Sequence, residues 1–68
     1  KNPLAFYNLA CVYCFRKDPD LALDALDKAL INGFNNCEAL RTDRDIACVN
    51  KSDLTKKLEE RYSPCRLK

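Results

Sequence analysis

Residues 6–13 read Phe-Tyr-Asn-Leu-Ala-Cys-Val-Tyr, and residues 22–29 read Ala-Leu-Asp-Ala-Leu-Asp-Lys-Ala. In both stretches apolar residues recur at intervals of three and four, the spacing of a helix face. Helix start and stop signals surround them. Asn2-Pro3-Leu4 offers an N-cap, a proline at the first helical position and then an apolar residue, and Asp18-Pro19-Asp20-Leu21 repeats that order. Gly33 follows Ile31-Asn32, where a left-handed residue would end a helix. The signals predict one helix over 3–16 and another over 19–32. The very short connection makes them an antiparallel hairpin.

Working outward, Asp43-Arg44-Asp45-Ile46 looks like a third start, with Arg in the place of Pro, and Ser52-Asp53-Leu54 like a fourth. Ser63-Pro64 ends the last periodic segment. A loop with one or two short turns is expected over 34–50 and a helix over 53–62, with Leu54, Leu58 and Tyr62 on one face. One glycine and three prolines leave few loops and favour helices over a sandwich or barrel. The expected fold is all-α: a hairpin over 1–34, connecting turns and a capping helix over 35–63, and a tail over 64–68.

The two long helices differ in their wet faces. The second carries one polar stripe, Asp20, Asp24, Asp27 and Lys28, with Asp24 and Lys28 forming a favourable i,i+4 pair. The first has no such stripe; between Leu4 and Phe15 only Asn8 is strongly polar. A helix apolar nearly all round is expected to be covered nearly all round. The second helix and the capping helix supply two covers, and a further partner is expected to supply the rest.

The 68 residues amount to one domain, marginal when alone. A hydrophobic content of 47% beside 32% charged residues describes a folded segment. The net charge of +2 is spread without a basic stripe, so nucleic acid is not expected as a partner. The apolar run from Leu4 to Phe15 is too short to span a bilayer. A chain beginning at Lys1 and lacking Met reads as trimmed or as part of something longer.

The spacing of the hairpin is more specific than a generic amphipathic pair. Phe6-x-x-Leu9-Ala10-x-x-Tyr13, then Ala22-x-x-x-Leu26 and Ala29, then the stop at Gly33, resembles a tetratricopeptide repeat, a helical hairpin of about 34 residues. Small residues at Ala10, Ala22 and Ala29 suit close helix approach, while Phe6, Leu9, Tyr13 and Leu26 fill the space beside them. Phe34 stands where the repeat usually ends with proline. A lone repeat does not bury its faces, so further repeats or a partner are expected at one end.

A longer resemblance rests on Tyr7-Asn8-Leu9-Ala10-Cys11, Ala25 to Leu30, Asn32-Gly33-Phe34 and Leu40 to Ile46. These segments resemble the last repeat and tail of tetratricopeptide proteins of photosynthetic organisms, including the chloroplast low-photosystem-II-accumulation type. Arg44 replaces the proline of that family's turn, and the family's preceding repeats and membrane-spanning helices are absent from this sequence. The resemblance implies an accessory subunit or assembly factor, peripheral to the membrane on the stromal side of the thylakoid. Its partners would be protein subunits of a larger complex, photosystem core or antenna proteins among them. The alternative setting is cytoplasmic, as a co-chaperone or adaptor.

Five cysteines invite other chemistry. With no His and no second Cys-x-x-Cys, the pair Cys11 and Cys14 lacks the ligands of a structural zinc site. A redox dithiol usually follows a strand at a helix N-terminus, and this pair is mid-helix. Helical patterning favours free thiols in a reducing compartment over a disulfide scaffold. Leu4, Tyr7, Cys11, Cys14 and Phe15 then form a stripe at near-helical spacing, packed on a neighbouring element or pressed against a ligand. Asn8 is expected to bond nearby backbone, since no Lys or Arg of its helix completes a carboxylate clamp. Arg41 and Arg44 flank Asp43 in a charged turn that is either a capped, solvated turn or a rim contact. No cofactor is implied, and the absence of any nucleophile–base constellation leads us to expect a non-enzyme.

Overall fold

The computed structural model describes residues 2–67; Lys1 and Lys68, the outer ends of the predicted hairpin and tail, lie outside the described residues. The fold is all-α. Helix α1 spans Pro3–Phe15, α2 Pro19–Ile31, α3 Cys37–Thr42 and α4 Lys51–Glu60, with a 3-10 turn at Arg44–Ile46.

Each start is written by a side-chain cap. The Asn2 carboxamide accepts from the Leu4 N–H at 2.9 Å, and Asp18 accepts from Leu21 at 3.3 Å. Both are followed by proline at the first helical position, as the sequence predicts. Asn36 caps α3 and Asp43 caps the 3-10 turn. The start of α4 lies two residues before the predicted one. Asn50 takes the N–H groups of both Ser52 and Asp53, so it outcompetes Ser52 as the cap.

The stops share one geometry. At the end of α2 the Phe34 N–H reaches the Ala29 carbonyl at 2.9 Å, the Gly33 N–H reaches Leu30 at 3.1 Å, and Gly33 sits at φ +97°. This is the Schellman arrangement, which satisfies the last carbonyls of a helix. The same pair of bonds closes α1 through Lys17 and Asp18, and α4 through Tyr62 and Ser63. Lys17 and Tyr62 therefore adopt the left-handed region, at φ +62° and +53°. Tyr62 was expected on the buried face of the last helix. It lies beyond the helix end and is 94% exposed, because the left-handed turn swings it out.

Helices α1 and α2 pack as the antiparallel hairpin. Ala10, Ala22 and Ala29 have no exposed surface, as the repeat-like spacing requires where two backbones approach, and Leu26 fills the adjoining space. The core continues through Leu40, Ile46, Val49, Leu54 and Leu58, so residues 37–60 cover one side of the hairpin. Phe6 and Tyr13 pack on its margin.

Two disulfides close the fold, Cys14–Cys48 and Cys37–Cys65, with Cα atoms 5.4 and 5.1 Å apart. The expectation of free thiols holds only for Cys11. Helical patterning did not exclude disulfides, because these bonds tie helix ends to connecting segments and leave every helix regular. The second of them fastens the segment that follows α4, since Cys65 is buried and bonded and Leu67 packs against the core.

Candidate functional site

The predicted contact stripe on α1 is divided between two environments. Tyr7 is buried: its ring stacks on Phe34 with centroids 4.6 Å apart, and its hydroxyl donates to Asp43. Burial, then that hydrogen bond, raises the Tyr7 hydroxyl well above the ordinary phenol range. The same bond holds the Asp43 carboxyl below the usual carboxylate range. Cys14 is consumed by its disulfide to Cys48. Tyr7 and Cys14 are thus held against the chain's own segment 43–48. Asp43 has two duties, because its other oxygen caps the 3-10 turn by accepting the Asp45 N–H at 2.9 Å.

Another side of α1 faces outward. Phe15 is 89% exposed and Leu4 55%. Between them lie Val12 at 45% and Leu9 at 39%. Leu9, expected as a packing residue of the repeat, is thus on the open face, and so is Val12. Asn8 is exposed among them rather than bonded to nearby backbone. No charged residue occurs from Asn2 through Phe15, so this face is uncharged along the whole helix and apolar except at Asn8. Arg41 is engaged by Glu38 at 2.6 Å on an exposed turn of α3, while Arg44 is exposed beside Cys11. The structure brings Cys11, Phe15 and Arg44 together and leaves Leu4 and Arg41 apart from that group.

A small cleft of about 210 Å³ lies between the C-terminal half of α1 and the 3-10 turn, lined by Cys11, Cys14, Phe15, Arg44, Asp45 and Cys48. The Cys11 sulfur and the carboxylates of Asp43 and Asp45 lie within 4.8 Å of one another. Burial raises the Cys11 thiol, and both carboxylates push it further. The three groups make a poor cation cradle. Asp43 has already committed both oxygens to hydrogen bonds, and a protonated thiol is a weak ligand. A second groove, about 410 Å³, runs between α4 and residues 62–67 and is lined by Leu58, Tyr62 and Leu67 among others.

Some of these relationships had no sequence signal. Asp27 belongs to the polar stripe of α2 by spacing, yet it is 8% exposed and gripped by Arg61, 34 residues away. The disulfide partners had one weak signal, five cysteines in 68 residues, but a cysteine count does not give connectivity. No family model, no curated protein and no solved structure matches the chain. Among the described residues, no helix is long and apolar enough to cross a membrane.

Proposed function

We propose that this chain is a non-catalytic protein-binding module that docks through the open face of α1, formed by Leu4, Asn8, Leu9, Val12 and Phe15. The observation that carries the reading is a 13-residue helix without charge whose outward side stays apolar after the rest of the chain has packed. Contiguous exposed apolar surface on a small domain marks an interaction site, and an amphipathic or apolar helix in a partner's groove is a recurring mode. The rigid hairpin and two disulfides hold that face in one shape, which lowers the entropy lost on docking.

The resemblance to the tails of chloroplast tetratricopeptide proteins supports a setting for this module. It would be an accessory or assembly subunit, peripheral to a photosynthetic membrane and seated on photosystem core or antenna proteins. The disulfides favour a compartment that sustains them over the stromal side that the resemblance alone implies. The competing adaptor reading rests on the tetratricopeptide resemblance of the hairpin alone, and Asn8 has no cation on its helix with which to share a peptide carboxylate.

The test is native-gel co-migration of the purified chain with detergent-solubilised photosynthetic complexes, comparing wild type with Val12→Asp. Circular dichroism and disulfide mapping would confirm that the variant is folded. Co-migration abolished by the substitution is the expected result. Equal co-migration of the folded variant would overturn the docking face. Failure of the wild type with every photosystem complex would overturn the setting. Binding to a peptide ending in Glu-Glu-Val-Asp would favour the adaptor.

A further inference from the structure

Cys11, Cys14 and Cys48 line one cleft; two of these sulfurs form a disulfide and the third is a thiol. Cys11 and Cys14 stand three residues apart on α1 and share a helix face, with Cβ atoms about 5–6 Å apart. Segment 43–48 runs along that face in successive contacts. Asp43 meets Tyr7, the Asp43 and Asp45 carboxylates lie beside Cys11, and Cys48 is bonded to Cys14. The covalent tether between α1 and this segment therefore has two anchor points on the helix, one turn apart, and one of them is vacant.

We propose that the Cys14–Cys48 disulfide is exchangeable and that Cys11 is its internal nucleophile. The Cys11 thiolate attacks the Cys48 sulfur, and a Cys11–Cys48 bond forms as the Cys14–Cys48 bond breaks. Cys14 leaves as a thiolate and takes up the proton that Cys11 released. One disulfide and one thiol are present before and after, so the step needs no external oxidant or reductant. Attack on Cys14 instead would close a bridge inside a regular helix, whose Cβ spacing exceeds the roughly 3.5–4.5 Å of a disulfide. Attack on Cys48 closes no bridge within a helix, because Cys48 lies between the 3-10 turn and α4. The Cys37–Cys65 bond is not served in this way, because Cys65 is buried and the groove beside it holds no thiol.

The surroundings of Cys11 set the rate. It faces Tyr7 on its own helix, and Asp43, Arg44 and Asp45 across the cleft. Burial and the two carboxylates keep the thiol protonated at neutral pH, so the exchange is slow there and accelerates about tenfold per pH unit as thiolate forms. Phe15 lines the same cleft, so relocating the tether would reshape one end of the apolar face. That consequence rests on the docking reading, whereas the exchange itself does not.

The test uses the oxidised wild-type chain, incubated from pH 7 to 10 without added thiol or oxidant, quenched in acid and labelled with a thiol reagent. Peptide mass spectrometry then locates the label and the disulfides. The expected result is label appearing on Cys14 together with a Cys11–Cys48 bond, at one thiol per chain. The rate should be independent of protein concentration and rise about tenfold per pH unit. Oxidative refolding of Cys14→Ser should yield Cys11–Cys48 directly. Label confined to Cys11 at every pH, or scrambling that involves Cys37 and Cys65 equally, would overturn the proposal. So would a folded Cys14→Ser chain with two free thiols.

Discussion

Arg61, at the end of α4, grips Asp27 in the middle of α2 with two parallel hydrogen bonds, Nε to Oδ1 and Nη2 to Oδ2, each 2.8 Å. The pair clamps the last helix onto the hairpin. Asp27 is nearly buried while Arg61 stays open to water, so the carboxylate depends on the pair more than the guanidinium does. Solvent around the exposed arginine screens the pair, so it contributes less than a fully desolvated one would. Asp27→Ala should lower Tm by a few degrees in a domain of this size. An unchanged melting curve would show that the clamp is ornamental.

Acid should release the same clamp. The Arg61 hydrogen bond depresses the Asp27 pKa, and the Tyr7 hydroxyl depresses that of Asp43. Groups with depressed folded pKa values stabilise the fold above the unfolded value, about 3.9 for Asp, and lose that contribution as pH falls through the folded value. The urea midpoint should therefore be level above about pH 5 and fall steadily below about pH 4. In Asp27→Asn the fall should be shallower. A midpoint that stays level to pH 2 in the wild type would contradict the assignment.

Tyr7→Phe keeps the stack on Phe34 and removes only the hydroxyl that Asp43 accepts. The loss should be about 1–2 kcal/mol, the cost of a charged acceptor losing one donor while its second hydrogen bond survives. Tyr7→Ala also empties the stack and should cost about 3–5 kcal/mol. Urea titrations of the two variants separate these contributions. Equal losses would mean that the hydroxyl carries none of the stabilisation.

Either disulfide should be worth more than the Tyr7–Asp43 hydrogen bond or the Asp27–Arg61 pair taken singly. The bonds close loops with sequence separations of 34 and 28. Loop-closure entropy then predicts about 3.5 kcal/mol each. Reduction of both should unfold the chain at 37 °C, since a domain this small has little stability in reserve. Retention of the full helical circular dichroism signal after complete reduction would refute this.

Lys17 and Tyr62 hold left-handed backbone that glycine adopts without a Cβ penalty. Lys17→Gly and Tyr62→Gly should each raise stability by about 0.5–1 kcal/mol, seen as a Tm increase of a few degrees. Tyr62 is almost fully exposed, so its ring offers little packing to offset the gain. A lower Tm in both variants would show that these side chains hold something beyond the turn.

The long helices were legible because their signals are local. Asn2-Pro3, Asp18-Pro19 and the glycine stop act within one turn of chain, and Ala10, Ala22 and Ala29 mark the contact between the helices. Helix α3 and the true start of α4 were less legible, since Asn36 and Asn50 act as caps without a following proline or a long periodic run. The contact stripe is divided by the fold. Spacing placed Leu4, Tyr7, Cys11, Cys14 and Phe15 on one side of α1, but periodicity does not reveal that segment 43–48 covers Tyr7 and Cys14 and leaves Phe15 bare.

What the residues determined by themselves was the two long helices, their caps and stops and their antiparallel pairing, because caps, turn residues and short connections act over a few residues. Tertiary structure alone decided which cysteines meet, that Asp27 leaves its wet stripe for Arg61, and which side of an evenly apolar helix remains open. Each of those outcomes joins residues 28 to 36 positions apart. At such separations partner choice is set by how the whole chain packs, and α1, apolar on every side, offers no polar stripe to show in advance which face will be left to water.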